Sequence, residues 1–122
     1  MGSTPSIVLA DDERGIRKLL EYTFDRAGYE TESYASGDDC WKRLQTGAPP
    51  DLVVLDCMLP GMDGIDVLER IRSDAALSDT PVVFVTGRGD RADVIDDDVT
   101  VDDYITKPFS PNALCERVEQ LV

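Results

Sequence analysis

Four short apolar runs interrupt an acidic chain, and each leads into polar residues. Ile7-Val8-Leu9-Ala10 runs into Asp11 and Asp12, Leu52-Val53-Val54-Leu55 into Asp56, Val82-Val83-Phe84-Val85 into Thr86, and Tyr104-Ile105 toward Lys107. Unbroken valine-rich runs bounded by turn residues read as strands buried on both faces of a parallel sheet. This predicts strands over about 6–10, 51–56, 81–86 and 102–106. A fifth, over about 29–34, alternates Tyr29, Thr31 and Ser33 against Glu30 and Glu32, and its polarity puts it at a sheet edge.

Between the strands the apolar period changes to that of a helix. Ile16, Leu19, Leu20, Phe24 and Ala27 mark a helix over about 13–27, with Gly28 as its left-handed terminator. Trp41 and Leu44 mark a second over about 37–46, capped by Ser36 and ended by Gly47-Ala48-Pro49-Pro50. Ile65, Leu68 and Ile71 mark a third over about 65–73, after a loop holding Pro60-Gly61 and Asp63-Gly64; residues 74–80 read as a polar connection. Residues 88–103 hold seven aspartates and two arginines. Ala92, Ile95 and Val99 could line a helix there, but Asp96-Asp97-Asp98 would sit at its unfavourable C-terminal end, so a short or frayed helix 4 is expected. The last helix, helix 5, opens on a Ser110 cap with Pro111 in its first turn and carries Leu114, Cys115, Val118, Leu121 and Val122.

Strict alternation of strand and helix implies a parallel sheet with helices on both faces, a three-layer α/β/α domain. Right-handed crossovers put every strand's C-terminal end on one edge. In the order 2-1-3-4-5 the switch point, where ligands of open α/β sheets bind, falls between strands 1 and 3. Those strands end in Asp11, Asp12 and Asp56.

With 122 residues, 42% of them hydrophobic, one domain with one core is expected, spanning 6–122. No run approaches the roughly 18 apolar residues of a membrane span, no secretion leader is read, and a cytoplasmic protein is expected. Met1-Gly2-Ser3-Thr4-Pro5-Ser6 fits the loose myristoylation pattern, but Ile7 enters the first strand at once; Arg88-Gly89-Asp90 reads as a chance tripeptide. Cys40, Cys57 and Cys115 share no metal spacing and read as reduced, mostly buried thiols. The absence of histidine excludes imidazole catalysis and histidine-ligated zinc. A net charge of −13 argues against direct contact with nucleic acid. Aspartate outnumbers glutamate 18 to 7 and only three lysines occur, a balance that suits a salty, halophilic cytoplasm.

Clustered carboxylates repel one another unless a cation neutralises them. Mg²⁺, or Mn²⁺, takes oxygen ligands and bridges to phosphate. One acid is then available as a nucleophile toward phosphorus, giving an acyl phosphate, while an ammonium and a hydroxyl stabilise the phosphoryl oxygens. Asp56 is the expected nucleophile, Asp11 and Asp12 the metal ligands, and Lys107 and Thr86 the phosphate partners. Taken singly these are ordinary residues: a strand-end aspartate is usually a cap, Lys107 a surface lysine, Thr86 a strand residue and Tyr104 half-buried packing. Their shared placement at one sheet edge carries the reading.

Asp11-Asp12, Leu55-Asp56, Leu59-Pro60-Gly61-Met62-Asp63-Gly64, Thr86-Gly87 and Asp102-Asp103-Tyr104-Ile105-Thr106-Lys107-Pro108-Phe109 together resemble the receiver domain of two-component response regulators, over about residues 6–122. The resemblance implies a flavodoxin-like receiver fold and transfer of a phosphoryl group from a sensor kinase phosphohistidine, or a phosphotransfer protein, onto Asp56. It implies direct metal ligation by Asp12, Asp56 and the Met58 backbone carbonyl, with Asp11 acting mainly through water. It also implies that Thr86 swings toward the phosphate and Tyr104 follows, altering the helix 4–strand 5–helix 5 face read by a downstream protein; a homodimer formed on phosphorylation stays open. Such a chain modifies itself and is no turnover enzyme. Phosphatases with aspartyl-phosphate intermediates usually carry a general acid two residues after the nucleophile, where Met58 stands. Met58 and Arg88 flank the site at positions that tune hydrolysis, and an apolar Met58 predicts slow self-dephosphorylation. The segment Asp98-Val99-Thr100-Val101 lacks the glycine-alanine common before strand 5. The alternative is a degenerate receiver acting as a constitutive interaction module.

Overall fold

Alternation along the strands divides the core in two. In the computed structural model, which describes residues 4–87 and 101–122, the strands are β1 (Ser6–Ala10), β2 (Glu30–Tyr34), β3 (Leu52–Leu55), β4 (Val82–Thr86) and β5 (Asp103–Thr106). The helices are α1 (Arg14–Arg26), α2 (Gly37–Gln45), α3 (Gly64–Ser73) and α4 (Pro111–Glu119), the last being the predicted helix 5. Val8, Ala10, Val53, Leu55, Val82 and Phe84 meet Cys40 and Leu44 of α2 and Val67, Leu68 and Ile71 of α3. Ile7, Leu9, Leu52, Val54, Val83 and Val85 point the other way, onto Leu20 and Phe24 of α1 and Leu114 and Val118 of α4. Successive strand residues face opposite sides, so one buried strand serves both cores.

The sheet is parallel throughout, in the order β2-β1-β3-β4-β5. Register aligns the strand ends: Ala10 pairs with Leu55, Leu55 with Phe84, and Thr86 with Thr106. The polar strand β2 lies at an edge, where one face of its ladder is unpaired and charged side chains discourage further strand addition. The Ser36 and Ser110 hydroxyls accept from Asp39 and Ala113 amides, and Pro111 occupies the first turn of α4. Gly28 ends α1 at φ +97°, in the region that favours glycine.

Two sequence expectations change. Leu19 is 38% exposed and Ala27 is exposed, while Thr23 is buried, because the inward stripe of α1 runs through Leu20, Thr23 and Phe24. Residues 74–80 are not simply polar: Asp74 accepts from Ala76 and Leu77 amides, and the turn tucks Leu77 into the α2–α3 core. Asp63 caps α3 by accepting from the Asp66 amide, and α3 begins at Gly64. The expected short helix 4, with Arg88, lies outside the described residues. Cys40, Cys57 and Cys115 are not joined in disulfides; the first two are buried and the third half-buried. Among the described residues no helix is long and apolar enough to cross a membrane.

Candidate functional site

Where β1 ends, the chain is held by backbone and side-chain bonds at once. The Asp11 amide donates to the Tyr34 carbonyl at 3.1 Å, Asp11 Oδ1 accepts from the Glu13 amide at 2.9 Å, and Arg17 Nη1 donates to the Asp11 carbonyl at 2.8 Å. Asp11 is 1% exposed, whereas Asp12, in the bend that follows, is exposed.

Asp56 ends β3 beside it. Its amide donates to the Ala10 carbonyl at 3.0 Å, and its Oδ1 accepts from the Met58 amide at 3.0 Å. The first residue of α3 closes the loop behind Asp56: the Gly64 amide donates to the Cys57 carbonyl at 3.0 Å, and a Cβ on Gly64 would lie 2.2 Å from the Asp56 carbonyl oxygen. Glycine is required there by the approach of backbone to backbone. The Gly37 amide, at the start of α2, donates to the Pro60 carbonyl and braces the same loop.

Lys107 follows β5, and its ammonium lies 2.9 Å from Asp11 Oδ2, 2.9 Å from Asp56 Oδ2 and 2.9 Å from Glu13 Oε1. Burial on its own would lower the Lys107 pKa, but the close carboxylates of Asp11, Asp56 and Glu13 outweigh it and raise the value. For Asp11 the balance goes the other way: burial raises its pKa above the usual carboxylate range despite the ammonium and the Glu13 amide.

One cation therefore does not satisfy this cluster. Asp11 Oδ2 is buried and, despite its short ion-pair distance, accepts no hydrogen bond of acceptable geometry among the described residues. One carboxylate oxygen each from Asp11, Asp12 and Asp56 lies within 4.8 Å of the other two. An under-satisfied buried oxygen in an all-carboxylate set fits a hard divalent cation such as Mg²⁺, which takes oxygen ligands.

The fold thus brings together Asp11, Asp12, Asp56 and Lys107 as the sequence predicts. Met58, two residues after Asp56, is 61% exposed. The Thr86 backbone ends β4 opposite Thr106; its side chain lies outside the description. Tyr104 is half-buried, its ring edge-on to Phe84 with centroids 6.1 Å apart, on the α2–α3 side of the sheet. Two participants escaped the sequence reading, Glu13 and Arg17. Glu13 directly follows the aspartate pair, which was the available signal, but a carboxylate at a helix start reads first as favourable to the helix dipole.

Comparison with known proteins agrees over nearly the whole chain. The family model described as response regulator receiver domain matches residues 7–119. The chain is 37% identical over 117 residues to the alkaline phosphatase synthesis transcriptional regulatory protein PhoP of Bacillus subtilis, covering 95% of this chain and 48% of PhoP. It is 32% identical over 115 residues to the chemotaxis protein CheY1 of Helicobacter pylori, covering 93% of each. The receiver domain of the sensor histidine kinase PA1611 from Pseudomonas aeruginosa, solved with magnesium in its active-site cleft, superposes with a TM-score of 0.87 at 22% identity, covering 98% of both chains; at that identity the likeness concerns the fold. The chain spans about half the length of PhoP and of several other regulators it matches.

Proposed function

Because this chain belongs to the response regulator receiver domain family, phosphoacceptor switches phosphorylated by sensor kinases in two-component signalling, we propose that Asp56 is its phosphoacceptor. The observation carrying this reading is the convergence of the Asp11, Asp12 and Asp56 carboxylates with the Lys107 ammonium at the C-terminal edge of the sheet. Residues 6–122 form the receiver domain in this reading.

A carboxylate oxygen of Asp56 attacks phosphorus as the P–N bond of a phosphohistidine breaks, its electron pair passing to the imidazole nitrogen. The product is an acyl phosphate. The chain contains no histidine, so the donor is a sensor histidine kinase or a phosphotransfer protein. Lys107, already 2.9 Å from Asp56, balances charge on the phosphoryl oxygens, and the Met58 amide fixes the carboxylate through Oδ1. Asp11, Asp12 and Asp56, with the Met58 carbonyl, are the residues that would hold Mg²⁺ or Mn²⁺, which supplies positive charge to the phosphoryl oxygens. Thr86 and Tyr104 carry the response to the face formed by β5 and α4, where a downstream protein or a second phosphorylated copy docks. An apolar Met58 orients no water, so the acyl phosphate hydrolyses slowly.

Acetyl phosphate and Mg²⁺ provide the test. Attack by Asp56 releases acetate with the electron pair of its P–O bond. One acid-stable, base-labile phosphate per chain is expected, absent in Asp56→Asn. No labelling would favour a constitutive interaction module, and continuous release of phosphate would favour a phosphatase.

A further inference from the structure

Glu13 is the one carboxylate around Lys107 for which the phosphoacceptor chemistry has no use. An ammonium carries three hydrogens and accepts nothing. Here two of them go to Asp56 Oδ2 and Glu13 Oε1, and Asp11 Oδ2 crowds the ammonium at 2.9 Å without accepting a well-aligned hydrogen bond. With three carboxylate oxygens at 2.9 Å, a phosphoryl oxygen that is to meet Lys107 must push one of them aside. The three are not equally easy to displace. The Asp11 and Asp56 side chains are 1% and 7% exposed, and each has its second oxygen fixed by a backbone amide, from Glu13 and Met58 respectively. The Glu13 side chain is 61% exposed, so water takes over its contact at little cost.

The placement of Glu13 is also built into the site. It is the N-cap residue of α1, yet its side chain makes no capping hydrogen bond; the carboxylate reaches Lys107 instead. Its amide donates to Asp11 Oδ1 and its carbonyl accepts from the Arg17 amide, both at 2.9 Å. The main chain of Glu13 is therefore tied to the same aspartate that faces the ammonium.

We propose that Glu13 is a positioning residue for phosphoryl acceptance, occupying Lys107 in the unphosphorylated chain and yielding that place to the incoming phosphoryl oxygen. This rests on Asp56 being the acceptor. Glu13 then acts as a brake on acceptance, because its contact must break before Lys107 can serve the new group.

The experiment measures the second-order rate of labelling by acetyl phosphate in Mg²⁺ for the parent chain and for Glu13→Ala, Glu13→Gln and Glu13→Asp. Loss of one half-exposed ion pair corresponds to acceleration by about twofold to fivefold in Glu13→Ala and Glu13→Gln. Glu13→Asp separates contact from field: it keeps the charge but is one methylene too short to reach, so it accelerates as Ala does. Unchanged urea midpoints show that the variants differ in the reaction and not in folding. Rates equal to or below the parent's overturn the proposal, as does an Asp variant that behaves like the parent, since that result leaves only a long-range charge effect. A parent chain that takes no label at all is a different failure, that of Asp56 as acceptor, and removes this proposal with it.

Discussion

Gly64→Ala sets two effects of opposite sign against each other. Gly64 is the first residue of α3, and alanine is intrinsically the better helix former by about 1 kcal/mol, an advantage that includes the reduced freedom of the unfolded chain. The structure opposes this. The added Cβ would lie 2.2 Å from the Asp56 carbonyl oxygen and 3.0 Å from both the Asp56 carbonyl carbon and Cys57 Cα. Non-bonded carbon contacts settle near ~3.5–4.0 Å, so the clash with the oxygen exceeds an ångström and falls on backbone, which no rotamer change relieves. Overpacking of this kind costs about 1–3 kcal/mol, and pushing the helix away weakens the Gly64–Cys57 hydrogen bond by about 1 kcal/mol more. The balance is a loss of about 1–3 kcal/mol. With a urea dependence of roughly 1–3 kcal/mol per molar, the unfolding midpoint falls by about 1 M at unchanged slope. The peptide displaced is that of Asp56 itself, so labelling by acetyl phosphate slows in the surviving folded fraction. A midpoint at or above the parent's would refute the reasoning, because propensity would then have prevailed over a contact said to be too close for any side chain.

Two further outcomes follow from buried titratable groups. The folded-state pKa of Asp11 is raised, chiefly by burial, so its contribution to stability is present below the ordinary carboxylate pKa and lost as pH rises through the raised value; in chelator, urea midpoints measured from pH 4 to 7 should therefore decline less steeply for Asp11→Asn than for the parent, and equal slopes would count against an unfavourably buried charge. Burial pushes the Cys40 thiol up to about 12, against a slight lowering by Arg43, so a disulfide reagent at pH 8 should modify Cys40 only when urea unfolds the chain; peptide mass analysis after a native-state pulse checks this.

The fold was legible because its signals are local and repeated. Four apolar runs and their intervening helical stripes define the alternation, and alternation with right-handed crossovers leaves few topologies. The site was legible for the same reason: Asp11, Asp56 and Lys107 need only terminate or follow neighbouring strands in order to meet, and register does the rest. What escaped depends on distances that no periodicity encodes. Leu77 sits in a stretch rich in polar residues and is buried by a turn that Asp74 organises. Asp102 looks like one more surface acid, yet its Oδ2 accepts from the Val82 amide at 2.8 Å and from Arg72 at 3.0 Å, tying α3 and β4 to the start of β5. Gly64 reads as a loop glycine until the approach of α3 to Asp56 is known. Glu13 reads as a helix-start acid until its reach to Lys107 is seen.

Lys107 also bears on where a change at Asp56 can be felt. The ammonium ties the end of β5 to β1 through Asp11, to β3 through Asp56 and to the start of α1 through Glu13. β1 and β3 have strands on both sides and ladders whose side chains fill both cores, whereas β5 has a single strand neighbour and one buried residue, Ile105, among its four. In the proposed reading the Glu13 contact gives way when a phosphoryl group meets the ammonium, and the tethers to Asp11 and Asp56 then cannot both keep their lengths. Displacing a central strand would disturb two ladders and two packed helices; displacing β5 disturbs one ladder and the half-buried ring of Tyr104 against Phe84. The edge strand is the part that yields at lowest cost. In the proposed reading, a new charge buried among carboxylates is therefore expressed first at Tyr104 and the adjoining surface of α4, with the centre of the sheet left as it was.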